Sequence, residues 1–259
     1  MDLGLTNKCA LVTGGARGIG RAIAASLLAE GARVAFCSRS PEPVVETERQ
    51  LREAAGPERV FGFPADVATA EGAAGFVADA VVALGGVDLL VANVGGSAGG
   101  WLEESTHDDW QRTFALNLFH AVDTIRAVVP HMRQRGGGSI VVVASISGWK
   151  PGGKAQYAAA KAAEIQLAAS LAEELAPDRI RINTVSPGSV LYEGGGWDRR
   201  MQREPEVIEA FIQREFPGGR MGTAEEIADV VTFALSRRAS WVNGAHLAVD
   251  GAQRRPSIG

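Results

Sequence analysis

Thr13-Gly14-Gly15-Ala16-Arg17-Gly18-Ile19-Gly20 is the stretch on which the reading of this chain turns. The apolar run Cys9-Ala10-Leu11-Val12 before it predicts a strand, and the alanine- and leucine-rich segment 18–30 after it predicts a helix. A glycine turn in that position lets backbone come close to a phosphate and aims the first amides of the helix, with their partial positive charge, at it. Glycine spacing by itself says little, because 32 glycines in 259 residues produce such a trio by chance about as often as not. Its place between a strand and a helix, in the first unit of a repeating series, is what marks nucleotide binding by a backbone cradle over Gly14, Gly18, Ile19 and Gly20.

Outward from that turn the series continues. Strands are predicted over 33–38, 60–63 and 89–92, with helices over 43–55 and 69–84 between them. Helical stretches from 106 to 135, a strand 139–144, a long helix 155–175, a strand 181–185, a helix 224–235 and a last strand 246–249 follow. Strands that are apolar almost throughout, alternating with helices, predict a parallel sheet covered on both faces. The expected fold is α/β, a single doubly wound domain over 1–259 with a seven-stranded parallel sheet. Residues 187–222 hold several glycines and prolines around two short helical segments. A stretch of that length without a strand, placed after a strand end, reads as a substrate-binding loop or lid within the domain.

The composition, 46% hydrophobic and 22% charged with a mean hydropathy of +0.03, is that of a globular protein. Unbroken apolar runs such as 140–144 fall far short of the roughly 18 residues of a membrane span, so no membrane partner is expected. A net charge of -4 argues against a nucleic-acid partner. His107, His120, His131 and His246 show no ligand spacing, which argues against a metal. The first residues lack the pattern of a secretory signal, and Cys9 and Cys37 sit inside apolar runs as reduced thiols would, so the expected location is the cytoplasm.

Tyr157 and Lys161 stand four apart at the start of the helix 155–175 and share one face. With two tyrosines and four lysines in the chain, chance supplies such a pair about 0.03 times. An ammonium beside a phenol favours the phenolate, so the two can exchange a proton with an alcohol or carbonyl oxygen. A half-buried tyrosine beside a solvated lysine is the plainer explanation of such a pair in isolation. The strand 139–144 runs into Ser145-Ile146-Ser147-Gly148, which sets a hydroxyl at the carboxyl edge of the sheet. Ser145 there either donates to the same substrate oxygen or caps the turn. No Gly-x-Ser-x-Gly elbow surrounds it, which argues against a hydrolase.

Together these residues resemble the short-chain dehydrogenase/reductase family over residues 8–251, including members such as the 3-oxoacyl-carrier-protein reductases. Thr13, Gly14, Gly18 and Gly20 match its glycine motif, and Ala92-Asn93-Val94-Gly95 is a partial match to its Asn-Asn-Ala-Gly segment. The resemblance implies a Rossmann fold and hydride transfer between a nicotinamide and a small-molecule carbonyl or alcohol. It implies a catalytic set of Asn117, Ser145, Tyr157 and Lys161, with Asn117 kinking its helix and Ser147 competing with Ser145. Asn93 and Gly95 would line the cofactor, Asp66 and Val67 would meet its adenine, and Tyr157 and Lys161 would flank its nicotinamide ribose. Pro187, Gly188 and Val190 resemble the turn on its nicotinamide side, although the family's usual threonine is not evident in Ser189-Val190-Leu191-Tyr192. Relatives assemble as homotetramers or homodimers, which is the implied state here.

The end of the second predicted strand, Phe36-Cys37-Ser38-Arg39-Ser40, carries no acid to bond a ribose 2'-hydroxyl. Ser38, Arg39 and, from the glycine turn, Arg17 suit a 2'-phosphate, so NADP(H) is the preferred cofactor and NAD(H) the alternative. An NAD-dependent alcohol or polyol dehydrogenase and a non-enzymatic NADP(H)-binding sensor are the competing functions. Leu191, Tyr192, Trp197, Met201, Ser97 and Trp149 are candidate substrate contacts, with loop packing as their other role, and Arg199, Arg200 and Arg203 are candidates to attract an anion.

Overall fold

The computed structural model describes residues 1–253, so residues 254–259 of the expected domain lie outside the described residues. The first half comprises β1 (Cys9–Thr13), α1 (Gly18–Ala29), β2 (Arg33–Ser38), α2 (Pro41–Ala55), β3 (Val60–Pro64), α3 (Ala70–Leu84) and β4 (Leu89–Ala92). After it come α4 (His107–Phe114), α5 (His120–Gln134), β5 (Gly138–Val143), α6 (Ala155–Leu175), β6 (Ile180–Pro187), α7 (Gly196–Arg203), α8 (Pro205–Glu215), α9 (Ala224–Leu235) and β7 (His246–Val249). The seven strands pair in parallel in the order β3-β2-β1-β4-β5-β6-β7, the sheet expected from the sequence.

Side chains alternate across each strand, so one sheet fills two cores. Ala10, Val12, Val34, Phe36, Val91 and Val141 face the core under α1 and α9. Leu11, Ala35, Leu90, Ile140 and Ile182 face the opposite core under α3, α5 and α6. The winding reverses between β1 and β4, and a parallel sheet opens a crevice beyond the carboxyl ends of its strands at such a point. The glycine turn leaves β1 at that place.

Within the helical stretches over 106–135 a π turn, Ala115–Phe119, separates α4 from α5, at the residue whose kink the family resemblance implied. Its cause is Asn117, whose side-chain amide donates to the carbonyls of Thr113 at 2.6 Å and Gly96 at 2.7 Å and so competes with the backbone ladder. The last strand before the long loop runs on to Pro187 instead of stopping at 185, paired through its end with β7.

At the opposite edge of the sheet, Asp88 ties three elements together. It accepts from the Cys9 amide at 2.9 Å and from Arg135 at 2.9 Å, and Lys8 lies 3.3 Å away. Burial opposes its charge, but Arg135, the Cys9 amide and Lys8 outweigh burial and hold the carboxyl below its usual range. Because Lys8 and Arg135 reach solvent, Asp88→Asn is expected to cost about 1–2 kcal/mol of stability. An unchanged urea midpoint would refute that role.

Candidate functional site

Three glycines of the turn are dictated by geometry. Gly14 and Gly18 have φ of 66° and 53°, in the left-handed region. A side chain on Gly20 would strike the Gly14 carbonyl and the Asn93 amide. Thr13 joins this turn to the one after β4: its hydroxyl accepts from the Asn93 amide at 2.9 Å and the Val94 amide at 3.3 Å. Asn93 Nδ2 returns a bond of 3.0 Å to the Thr13 carbonyl. No side chain caps the start of α1, so its first amides stay available to an anion.

A cleft of about 690 Å³ runs along this edge. Arg17, Ser38, Arg39, Asp66 and Val67 line one end. Gly14, Ile19, Gly20, Asn93 and Gly95 form its floor. Ser145, Tyr157, Lys161, Pro187 and Gly188 line the other end with Ser97, and Tyr192 lines the cleft over Gly18. Its size, its backbone floor and its basic end fit an extended dinucleotide with the reactive ring beside Tyr157.

Three sequence candidates stand back from the cleft wall. Asn117 is fully buried in the π turn. Val190 is 6% exposed, lies in the core under α1 and α9 and bridges to Gly222, so its side chain supports the turn from behind. Gly18 is covered by Tyr192, whose ring carbons lie 2.6–3.0 Å from where a Gly18 Cβ would be. Among the proposed substrate contacts, Trp197 and Met201 pack with Ile208 and Phe216 in the small core of the loop, and Trp149 packs edge-on against His246. Trp197 and Met201 take part in loop packing, because α7 turns its apolar side onto α8.

Lys161 is 2% exposed, and its ammonium donates to the Val143 carbonyl at 3.0 Å and to Glu164 at 3.1 Å. It lies 5.8 Å from the centre of the Tyr157 ring. A Cβ on Gly95 would sit 3.0 Å from this ammonium and 2.9 Å from Asn117 Oδ1, so a larger residue there would crowd both groups. Ser145 accepts from the Ser147 amide at 3.1 Å, which fixes the hydroxyl and leaves its proton free to be donated. Both roles foreseen for Ser145 are therefore compatible. Ser147 is buried and absent from the cleft wall.

Two buried groups were missed by sequence reasoning. Glu164 lies against Lys161 with none of its surface exposed, and burial, offset in part by Lys161, pushes its carboxyl up to about 7. His120 is fully buried, and burial with the Lys161 charge brings its imidazole down to about 3, so it is neutral. Its Nδ1 sits 2.6 Å from the Asn117 carbonyl. The available signal was a glutamate three residues after the lysine, on the face of α6 that carries Ala160 and Ala168.

A parallel sheet with a glycine turn at its switch point and a Ser, Tyr and Lys at the same edge defines a nicotinamide-dependent oxidoreductase. The model of the short chain dehydrogenase family matches residues 8–196, and the chain belongs to that family. It is 34% identical over 248 residues to isoepoxydon dehydrogenase of Aspergillus clavatus, covering 93% of this chain and 92% of that one. L-sorbose reductase of Gluconobacter frateurii, solved with NADPH and L-sorbose, superimposes with a TM-score of 0.92 at 33% identity, with 98% of each chain covered. A 7α-hydroxysteroid dehydrogenase solved with NADH and 7-oxo glycochenodeoxycholic acid gives a TM-score of 0.89 at 28% identity, covering 99% of this chain and 98% of that one. The protein is thus an oxidoreductase that interconverts a carbonyl and an alcohol with NAD(P)(H). None of the helices among the described residues is long and apolar enough to cross a membrane.

Gly18→Ala places a side chain both at a positive φ and against the Tyr192 ring. It is expected to weaken NADPH binding at least tenfold, read by quenching or enhancement of NADPH fluorescence. Unaltered affinity would show that the turn does not hold the cofactor.

Proposed function

We propose that the protein is an NADP(H)-dependent reductase of a free, small ketone, with Ser145, Tyr157 and Lys161 as its reacting set and Asn117 as the residue that shapes the helix behind them. The observation that carries this reading is that Tyr157, Lys161 and Ser145 line the same cleft as the glycine turn. Bound NADPH supplies the hydride. Ser145, its oxygen engaged by the Ser147 amide, donates a hydrogen bond to the substrate carbonyl oxygen and polarises it, keeping its own proton. Tyr157 delivers the proton that completes the alcohol, and in the reverse direction removes it. Lys161 stabilises the charge left on the phenol oxygen and, from the same position, holds the nicotinamide ribose.

Arg39 and Arg17 lie at the far end of the cleft with Ser38, and these donors support a 2'-phosphate. Asp66 shares that end, but its carboxylate already accepts from the Ala68 amide at 3.2 Å. A carrier-protein substrate is disfavoured, because Arg133 is paired with Asp178 and Arg135 with Asp88, so neither is free to meet an acidic partner. Residues 187–222 act as the cover over the substrate, entering the cleft through Tyr192. Exposed Phe119 and Trp241 support assembly of two or four copies, and the buried free thiols Cys9 and Cys37 suit the cytoplasm.

Loss of NADPH absorbance on mixing the purified protein with a panel of ketones tests this function, and no oxidation of NADPH by any of them would oppose it. The protein should prefer NADPH over NADH, and Arg39→Asp should lower kcat/KM for NADPH at least tenfold while leaving that for NADH nearly unchanged. Equal use of both cofactors by the unmodified protein would contradict the proposed role of Arg39.

A further inference from the structure

The inner stripe of α6 is made of Gln156, Ala160, Glu164, Ala168 and Ala172, all buried. A glutamate between two alanines on such a stripe is costly unless something answers its charge. Its Oε1 accepts from Lys161 at 3.1 Å, and its Oε2 lies 2.9 Å from the same ammonium, too poorly aligned for a hydrogen bond and without another partner among the described residues. The whole carboxylate is therefore directed at one group. That group is the lysine assigned to the proton transfer.

We propose that Glu164 is a positioning residue for the reaction: it anchors the Lys161 ammonium from behind and offsets part of its charge, and thereby sets the pH at which Tyr157 can take a proton from substrate. An ammonium has three donors. Val143 and Glu164 accept two of them, which leaves the third to face the cleft past Gly95. The same carboxylate, when ionised, weakens the positive field that Lys161 exerts on the phenol oxygen.

The surroundings leave this pairing isolated. Lys161 is the charged group that acts on Glu164. On the neighbouring α5, His120 feels the same ammonium and stays neutral. β5 offers the Val143 carbonyl and no charged side chain. β6 carries Arg181, whose guanidinium is bound to Ser139 and to carbonyls after α9 near the start of the strand. α4 carries His107, Asp108, Asp109 and Arg112, of which Asp109 is engaged by Thr106 at the helix start. Beyond the carboxyl end of the helix, Asp178 is bound by Arg133.

This inference rests on the proposed roles of Tyr157 and Lys161. Its test is the pH dependence of kcat/KM for alcohol oxidation with NADP⁺, in which the substrate hydroxyl proton passes to Tyr157. Glu164→Gln removes the opposing negative charge, so the acid limb should move to lower pH by about half a unit to one unit. KM for NADP⁺ should rise as Lys161 loses its anchor. Glu164→Asp, which keeps the charge, should restore the limb towards its original position. A purely structural glutamate would change the amount of active protein and leave the limb in place, and that result, or a shift to higher pH, would overturn the proposal. Should Glu164→Gln not accumulate as folded protein, Glu164→Leu removes charge and polar burial together and carries the same expectation. Tyr157→Phe run in parallel separates the two levels. An inactive phenylalanine variant with an unmoved limb in Glu164→Gln overturns the role of Glu164 alone, whereas turnover that survives in Tyr157→Phe overturns both.

Discussion

Lys161 places an amine at the carboxyl edge of the sheet with 2% of the residue open to solvent. Burying an ammonium without acceptors costs several kcal/mol, so the structure around it has to supply them. Val143 does so from the end of β5, Glu164 from one turn further along α6, and the third donor is left facing the cleft. The constraint spreads outward. Gly95 must lack a side chain to let the turn after β4 pass the ammonium and Asn117, and Asn117 in turn must leave the regular helix to reach the Gly96 carbonyl. The π turn, the second glycine turn and the Tyr157–Lys161 pair meet around this buried charge.

The sheet explains why these groups meet at all. Parallel pairing delivers the ends of β1, β4, β5 and β6 to one edge, and the reversal of winding between β1 and β4 keeps helices from covering it. Thr13 couples the two central turns by taking the amides of Asn93 and Val94, so the glycine turn after β1 and the turn after β4 share one frame. Tyr192 adds a contact from the other side, since its ring lies on Gly18 while the loop that carries it continues into α7 and α8. The glycine turn and that loop touch through this ring.

Much of this was legible in the sequence for a physical reason. Strands buried on both faces read as apolar runs, and a turn that must pass close to a phosphate reads as glycine, so β1, the glycine turn and α1 announce themselves. Tyr157 and Lys161 were legible because tyrosine and lysine are rare in this chain and their spacing is that of one helical turn. Less legible were features decided by tertiary contact. The kink at Asn117 was legible only through the family resemblance, because it depends on an amide reaching a loop carbonyl some twenty residues earlier in the chain. Trp197 and Met201 looked like substrate contacts because aromatic and thioether side chains in a long loop suit a pocket, but α7 and α8 bury them against each other. Glu164 gave no motif, since only the fold turns its face of α6 inward.

The most direct test of the reacting set follows the hydride itself. NADPH carrying deuterium at its transferable position, mixed with an accepted ketone, should place the label on the carbinol carbon of the product. With Tyr157→Phe the cofactor should still bind while transfer of the label falls by at least a hundredfold. Label transferred equally well by the phenylalanine variant, or absent from the carbinol carbon with the unmodified protein, would contradict the chemistry assigned to this edge of the sheet.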